Sequence, residues 1–126
     1  MRDFRELKVW EKAHHLTLQI YRIIKNFPPY ERFGLTIQLR RSAASVPTNI
    51  AEGCGKNGER ELARFMSIAA GSASEVEYQL LLAYDLNYIQ DETYRELNQQ
   101  VNEAKKMLNS FIQKLIANSQ QPTAKS

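Results

Sequence analysis

Apolar residues recur at steps of three and four along four long stretches of the chain, the period of a helix with one buried face. Trp10, Ala13, Leu16, Ile20, Ile23, Ile24 and Phe27 mark the first, from about Leu7 to Asn26. Pro28 and Pro29 close it, because neither has a backbone N–H to donate. Leu35, Leu39, Ala43, Val46 and Ile50 mark the second, from about Phe33 to Ala51. Pro47 falls inside it, and a proline disfavours helical geometry in the residue before it. The stripe nevertheless keeps its phase from Ala43 and Val46 to Ile50. The pattern therefore predicts one kinked helix, with Ser42 or Ser45 satisfying a backbone group that the proline frees.

The third helix follows a Gly-rich connection, from about Glu59 to Leu86, on a stripe of Leu62, Phe65, Ala69, Ala73, Val76, Leu80 and Ala83. Gly58 is a permitted N-cap, and Glu59 and Glu61 suit the positive end of the helix dipole. Ala69 to Ser74 are all small, and Gly71 costs about 1 kcal/mol of helix propensity relative to Ala. That cost suggests close helix packing at Gly71. Asn87 fits a left-handed C-terminal stop. Asp91 caps a fourth helix, from about Glu92 to Asn118, whose residues Tyr94, Leu97, Val101, Ala104, Leu108, Phe111 and Leu115 form a heptad seam. Short connections between long amphipathic helices predict an all-α, antiparallel up-and-down four-helix bundle. It is read as a single domain over residues 1–118, with a flexible polar tail at 119–126.

Composition narrows the class. A chain of 126 residues, 43% hydrophobic and 25% charged, is one globular domain and not a disordered chain. Its 5 Gly and 4 Pro are too few for a protein of many short strands and turns. The single cysteine, Cys54, cannot form an intrachain disulfide, and with no signal peptide this points to a reducing, cytoplasmic setting. The uncharged stretch from Phe65 to Ser74 falls well short of the ~18 apolar residues of a membrane span, so no membrane partner is expected.

Charge is unevenly spread. The chain has 17 basic and 14 acidic residues, net +3. Met1 to Arg64 carry 12 basic and 7 acidic residues, Phe65 to Glu103 carry 1 and 7, and Ala104 onward 4 and none. A folded bundle can therefore show a basic and an acidic face, or these charges can pair with each other.

Candidate chemistry is sparse. Gly53, Gly55 and Gly58 spell G-x-G-x-x-G, but a helix precedes them where a dinucleotide site needs a strand. Two readings remain: a phosphate-holding loop beside Lys56 and Arg60, or a helix–helix turn that needs glycine. His14 and His15 point about 100° apart on a helix and do not share a metal, and no spacing completes a zinc site. No carboxylate dyad or Ser/His/Asp set stands out, so no enzyme activity and no cofactor are expected. The second helix carries a polar stripe of Arg41, Ser45, Asn49 and Glu52 nearly opposite its apolar one, and the third carries Ser72, Glu75 and Gln79. Ser, Asn and Gln are poor helix formers for an idle surface. Plain solvated surface is one reading of such lines; ordered contacts across a subunit interface, the reading favoured, or a binding site also explain them. Arg41 heads this stripe and reads as structural, with Glu52 or Glu75 as its partner.

Several segments together resemble a known family. They are Phe4-Arg5-Glu6-Leu7-Lys8-Val9-Trp10, Phe27-Pro28, Gly34-Leu35, Gln38-Leu39-Arg40-Arg41-Ser42-Ala43, Ser45-Val46-Pro47-Thr48-Asn49-Ile50-Ala51-Glu52-Gly53, Phe65, Ala69-Ala70-Gly71-Ser72, Glu75 and Asp85-Leu86. The family is that of four-helix-bundle proteins linked to intervening sequences of bacterial 23S ribosomal RNA. The chain resembles, more distantly, the accessory variability protein of diversity-generating retroelements. Gly58 stands where the family more often has Ser or Thr, and Asn87 where it often has Gly. The resemblance implies a ring-like homopentamer and a nucleic-acid role.

Two functions follow as expectations. The first is a non-enzymatic oligomer that binds structured RNA, or DNA, through repeated basic patches at Lys56, Arg60 and Arg64. The alternative is a protein–protein assembly or adaptor module that uses the acidic stretch and binds no nucleic acid directly.

Overall fold

The computed structural model describes residues 2–120, with side chains through residue 118. Among the described residues the chain forms α1 (Lys8–Ile23), α2 (Leu35–Cys54), α3 (Glu59–Asp85) and α4 (Asp91–Gln120), and no strand. Single 3-10 turns stand before α1 at Phe4–Glu6 and between α1 and α2 at Ile24–Asn26 and Pro29–Glu31. α4 ends two residues beyond the expected Asn118; residues 121–126 of the expected tail lie outside the described residues.

Successive helices run antiparallel. Ser42 and Ser45 on α2 meet Gln79 and Ser72 on α3, so a rise along one helix is a fall along the other. Tyr84 stacks on Tyr94 across the next corner, with centroids 4.4 Å apart, and Glu77 accepts from Lys105 at 2.7 Å further along. Lys12 on α1 pairs with Glu103 on α4, which closes the four-helix bundle. The sides are unequal: α2 packs extensively on α3, and α3 on α4, whereas α1 meets α4 along less of its length. The core between them holds Leu16, Ile20, Leu39, Ile50, Met66, Leu80, Leu97 and Leu108, all fully buried. Each such side chain contributes about 1.5–3 kcal/mol by leaving water.

Pro47 lies buried within α2, which runs through it unbroken. Its missing N–H orphans the Ala43 carbonyl. Neither serine expected to compensate does so: Ser42 Oγ donates to Leu39 O at 3.2 Å, and Ser45 Oγ meets Ser72 Oγ at 2.8 Å. The compensating group comes from α1, where the buried Thr17 hydroxyl lies 3.0 Å from Ala43 O and 2.8 Å from Ala13 O. It has one proton to share, and the Ala13 carbonyl already lies within the α1 ladder. The proline thereby becomes a link between two helices.

α3 ends as the sequence suggests. Asn87 takes φ 66°, its N–H donates to Tyr84 O at 2.9 Å, and the Tyr88 N–H donates to Ala83 O at 2.8 Å. This is a Schellman motif with asparagine in the left-handed position. Gly71 differs from expectation: it is exposed, and a Cβ there meets nothing within 4 Å. The close approach is instead at Gly53, where an added Cβ would lie 2.8 Å from Phe65 Cβ and 3.2 Å from Leu62 Cδ1.

Two stability tests follow. Gly53→Ala should destabilise the fold by about 1–3 kcal/mol through overpacking, whereas Gly71→Ala should stabilise it by up to ~1 kcal/mol; urea denaturation measures both. Thr17→Val should cost about 1–3 kcal/mol by leaving the buried Ala43 carbonyl unpaired. In a Pro47→Ala background the restored N–H takes over that carbonyl, so a double-mutant cycle should show the cost of Thr17→Val falling.

Candidate nucleic-acid interface

Helix α2 ends and α3 begins at one corner of the bundle, and the glycines of the G-x-G-x-x-G run build that corner. Gly53 lets α2 touch Leu62 and Phe65, and Gly58 takes φ +90° just before α3. No side chain caps α3 at Gly58, so its first-turn N–H groups point outward under the positive end of the helix dipole. The N-terminal segment is tied here as well, since the Arg2 N–H donates to Cys54 O at 2.9 Å. Arg2, Gly53, Cys54, Lys56, Gly58, Glu59 and Leu62 line a shallow cleft of about 250 Å³.

The three basic residues singled out in the sequence meet different fates at this corner. The Lys56 ammonium and the Arg64 guanidinium both lie over the Phe65 ring, 5.6 Å and 4.5 Å from its centroid. Arg64 also makes two hydrogen bonds to Glu61, at 3.0 and 3.2 Å. These bonds hold the Glu61 carboxyl below its usual range and raise the guanidinium. Glu59 pairs with Arg2 at 3.7 Å, leaving Arg60 exposed without an ion pair among the described residues. Lys56 and Arg60 are thus the open cations. Cys54 is 2% exposed; burial pushes its thiol pKa up, against a smaller pull from Arg2. The thiol is therefore an inert part of the wall.

The polar stripe lies elsewhere, along the α2–α3 seam. Ser45 and Ser72 share a hydrogen bond, Asn49 Nδ2 donates back to Ser45 O at 2.8 Å, and Gln79 meets Ser42. These polar residues therefore fasten two helices of the same chain. Arg41, Glu52 and Glu75 extend beyond them, exposed. The expected pairing of Arg41 with Glu52 or Glu75 is not made: among the described residues no ion pair involves any of the three. A helical wheel puts Arg41 and Glu52 on one exposed face of α2, while Glu75 lies on α3, and a shared exposed face does not by itself bring charges within ion-pair distance. Arg41 and Glu75 instead border an open recess of about 400 Å³ with Gln38, Ser42, Ser45 and Gln79.

A second basic surface was missed in the sequence. Arg2, Lys8, Lys106 and Lys114 border a groove of about 670 Å³ between the start of α1 and the last turns of α4. The acid-free stretch from Ala104 onward was its one sequence signal, but only the fold brings that stretch beside Lys8.

A family model for the 23S rRNA-intervening sequence protein matches residues 5–110. The chain belongs to this family. The match contains the corner, the polar seam and most of α4. A crystal structure of a protein of unknown function from the S23 ribosomal protein family of Bacteroides thetaiotaomicron is also similar to this family member. Its TM-score is 0.77 at 28% identity, over 83% of this chain and 95% of the other. A search of curated proteins finds no match.

With Arg41 exposed and unpaired, Arg41→Ala should change the stability of the isolated chain by no more than about 0.5 kcal/mol. Urea denaturation at low protein concentration checks this. A loss of several kcal/mol would mean that Arg41 has a buried partner.

Proposed function

We propose that this protein is a non-enzymatic, self-assembling helical bundle that binds structured RNA through a basic patch repeated on each subunit. The observation that carries this reading is the α2–α3 corner. Exposed Lys56 and Arg60 flank an uncapped helix N-terminus there, a combination suited to phosphate. The name of the matched family, which refers to an intervening sequence of 23S rRNA, directs the choice of nucleic acid toward RNA. Glu59 and Glu61 lie on the same turn and occupy Arg2 and Arg64, so each subunit holds RNA weakly. Repetition around an assembly, read here as a cytoplasmic homopentamer, turns weak phosphate contacts into useful affinity.

Replacing Lys56, Arg60 and Arg64 with Ala should lower RNA affinity and flatten its salt dependence. Each lost phosphate contact lowers the slope of log K against log salt by roughly 0.7–0.9. Electrophoretic or anisotropy titrations with structured RNA and duplex DNA across salt concentrations measure this, and light scattering on the same samples measures the assembly. Unchanged affinity and slope overturn the site; a monomer mass at micromolar concentration overturns the repetition.

A further inference from the structure

The groove between the chain's N-terminal segment and α4 combines two features that phosphate binding does not need together. Its floor is apolar. Met107, Phe111 and Leu115 stand four residues apart in one row on α4, and Leu7 and Val9 face them. Leu115 and Val9 are buried, while Leu7, Met107 and Phe111 keep part of their surface open. Its rim is cationic. Lys106 and Lys114 stand in the neighbouring row of α4, Lys8 lies across the groove, and Arg2 rests over the Phe111 ring at 5.4 Å. Among the described residues no carboxylate lines it. Lys8, Lys106 and Lys114 are exposed and make no ion pair among the described residues.

We infer that this groove is a docking site for an acidic amphipathic helix of a partner protein. The open stretch of α4 from Lys106 to Asn118 spans about 18 Å at helical rise, the length of three turns of a docked helix. It lies on the side of the bundle where α1 packs least extensively against α4. A helix laid in such a groove places apolar residues at i, i+4 and i+7 on the floor, and flanking Asp and Glu reach the lysine rim. An RNA backbone would satisfy the rim and leave the apolar row exposed. The residues after position 120, Gln-Pro-Thr-Ala-Lys-Ser, hold a lysine and no acid, so their charge does not complement the rim. Complementary charge would steer the encounter, and the apolar row would hold the bound helix.

The test uses the full chain and a fluorescein-labelled peptide of about 14 residues, four helical turns, with Leu along one face and Glu on both flanks. A control peptide replaces every Glu with Lys. Anisotropy should show saturable binding of the Glu peptide and none of the Lys peptide. Lys106→Glu combined with Lys114→Glu should weaken binding at least about tenfold without changing the melting temperature, since both side chains are exposed. Equal binding of the two peptides overturns the proposal, as does Glu-peptide binding indifferent to the charge reversal. Absence of peptide binding combined with a fall in oligomer mass in the reversed variant assigns the groove to a second copy and overturns it. Loss of RNA affinity in that variant with peptide binding unchanged assigns it to RNA and overturns it too. Because Lys56, Arg60 and Arg64 are untouched here, failure of this docking site leaves the RNA reading of the α2–α3 corner standing.

Discussion

The close contact of α2 with α3 positions nearly everything else in the molecule. At one end Gly53 presses against Leu62 and Phe65; further along, Ser45 bonds Ser72 and Ser42 meets Gln79. A side chain at position 53 would wedge the helices apart, and apolar residues along the seam would leave their relative slide less defined. Hydrogen bonds between side chains across the seam need a particular register, because a donor and acceptor must come within about 3.5 Å of each other. The seam therefore fixes where α3 begins relative to the end of α2. That in turn sets the corner where Lys56 and Arg60 stand open.

Pro47 extends this constraint to α1. A helix interior that gives up a backbone donor must find another, and here the donor is the Thr17 hydroxyl of the neighbouring helix. A buried, unsatisfied carbonyl is costly enough to hold α1 at one height against α2. α4 is held on α3 by its buried row of Leu97, Val101, Ala104 and Leu108 and by the Lys105–Glu77 pair and the Tyr84–Tyr94 stack, whereas its side toward α1 carries the Lys12–Glu103 ion pair and less packing. Partly exposed ion pairs contribute modestly. That suits a side of the bundle that opens into a groove instead of closing into more core.

The up-and-down order also organises the charge. It brings the start of α1, the α2–α3 corner and the end of α4 to the same end of the bundle, and with them Arg2, Lys8, Lys56, Arg60 and Lys114, with Lys106 at the middle of α4. Arg2 borders both the cleft at the corner and the groove along α4. Two anion-attracting surfaces therefore lie side by side with different floors. One is built on a helix N-terminus, the other on an apolar row.

Periodicity alone determined the four helices, their order and nearly all of the core, because a buried stripe at a step of three or four is written in one dimension. Local rules also sufficed for the stop at Asn87, whose left-handed backbone depends on neighbours in sequence. The family resemblance rested on residues such as the run around Pro47, and the match over residues 5–110 agrees with it. Tertiary structure alone decided which glycine is crowded, since Gly53 and Gly71 differ only in what faces them. It alone gave Glu59 to Arg2 and left Arg41 and Arg60 open, whereas the pairing of Glu61 with Arg64 is a local contact three residues apart on one helix. It alone matched Thr17 to Ala43 and set Lys8 beside Lys106 and Lys114. Each of these depends on distance between residues far apart in the chain, and a helical wheel gives direction around one axis without saying what stands opposite.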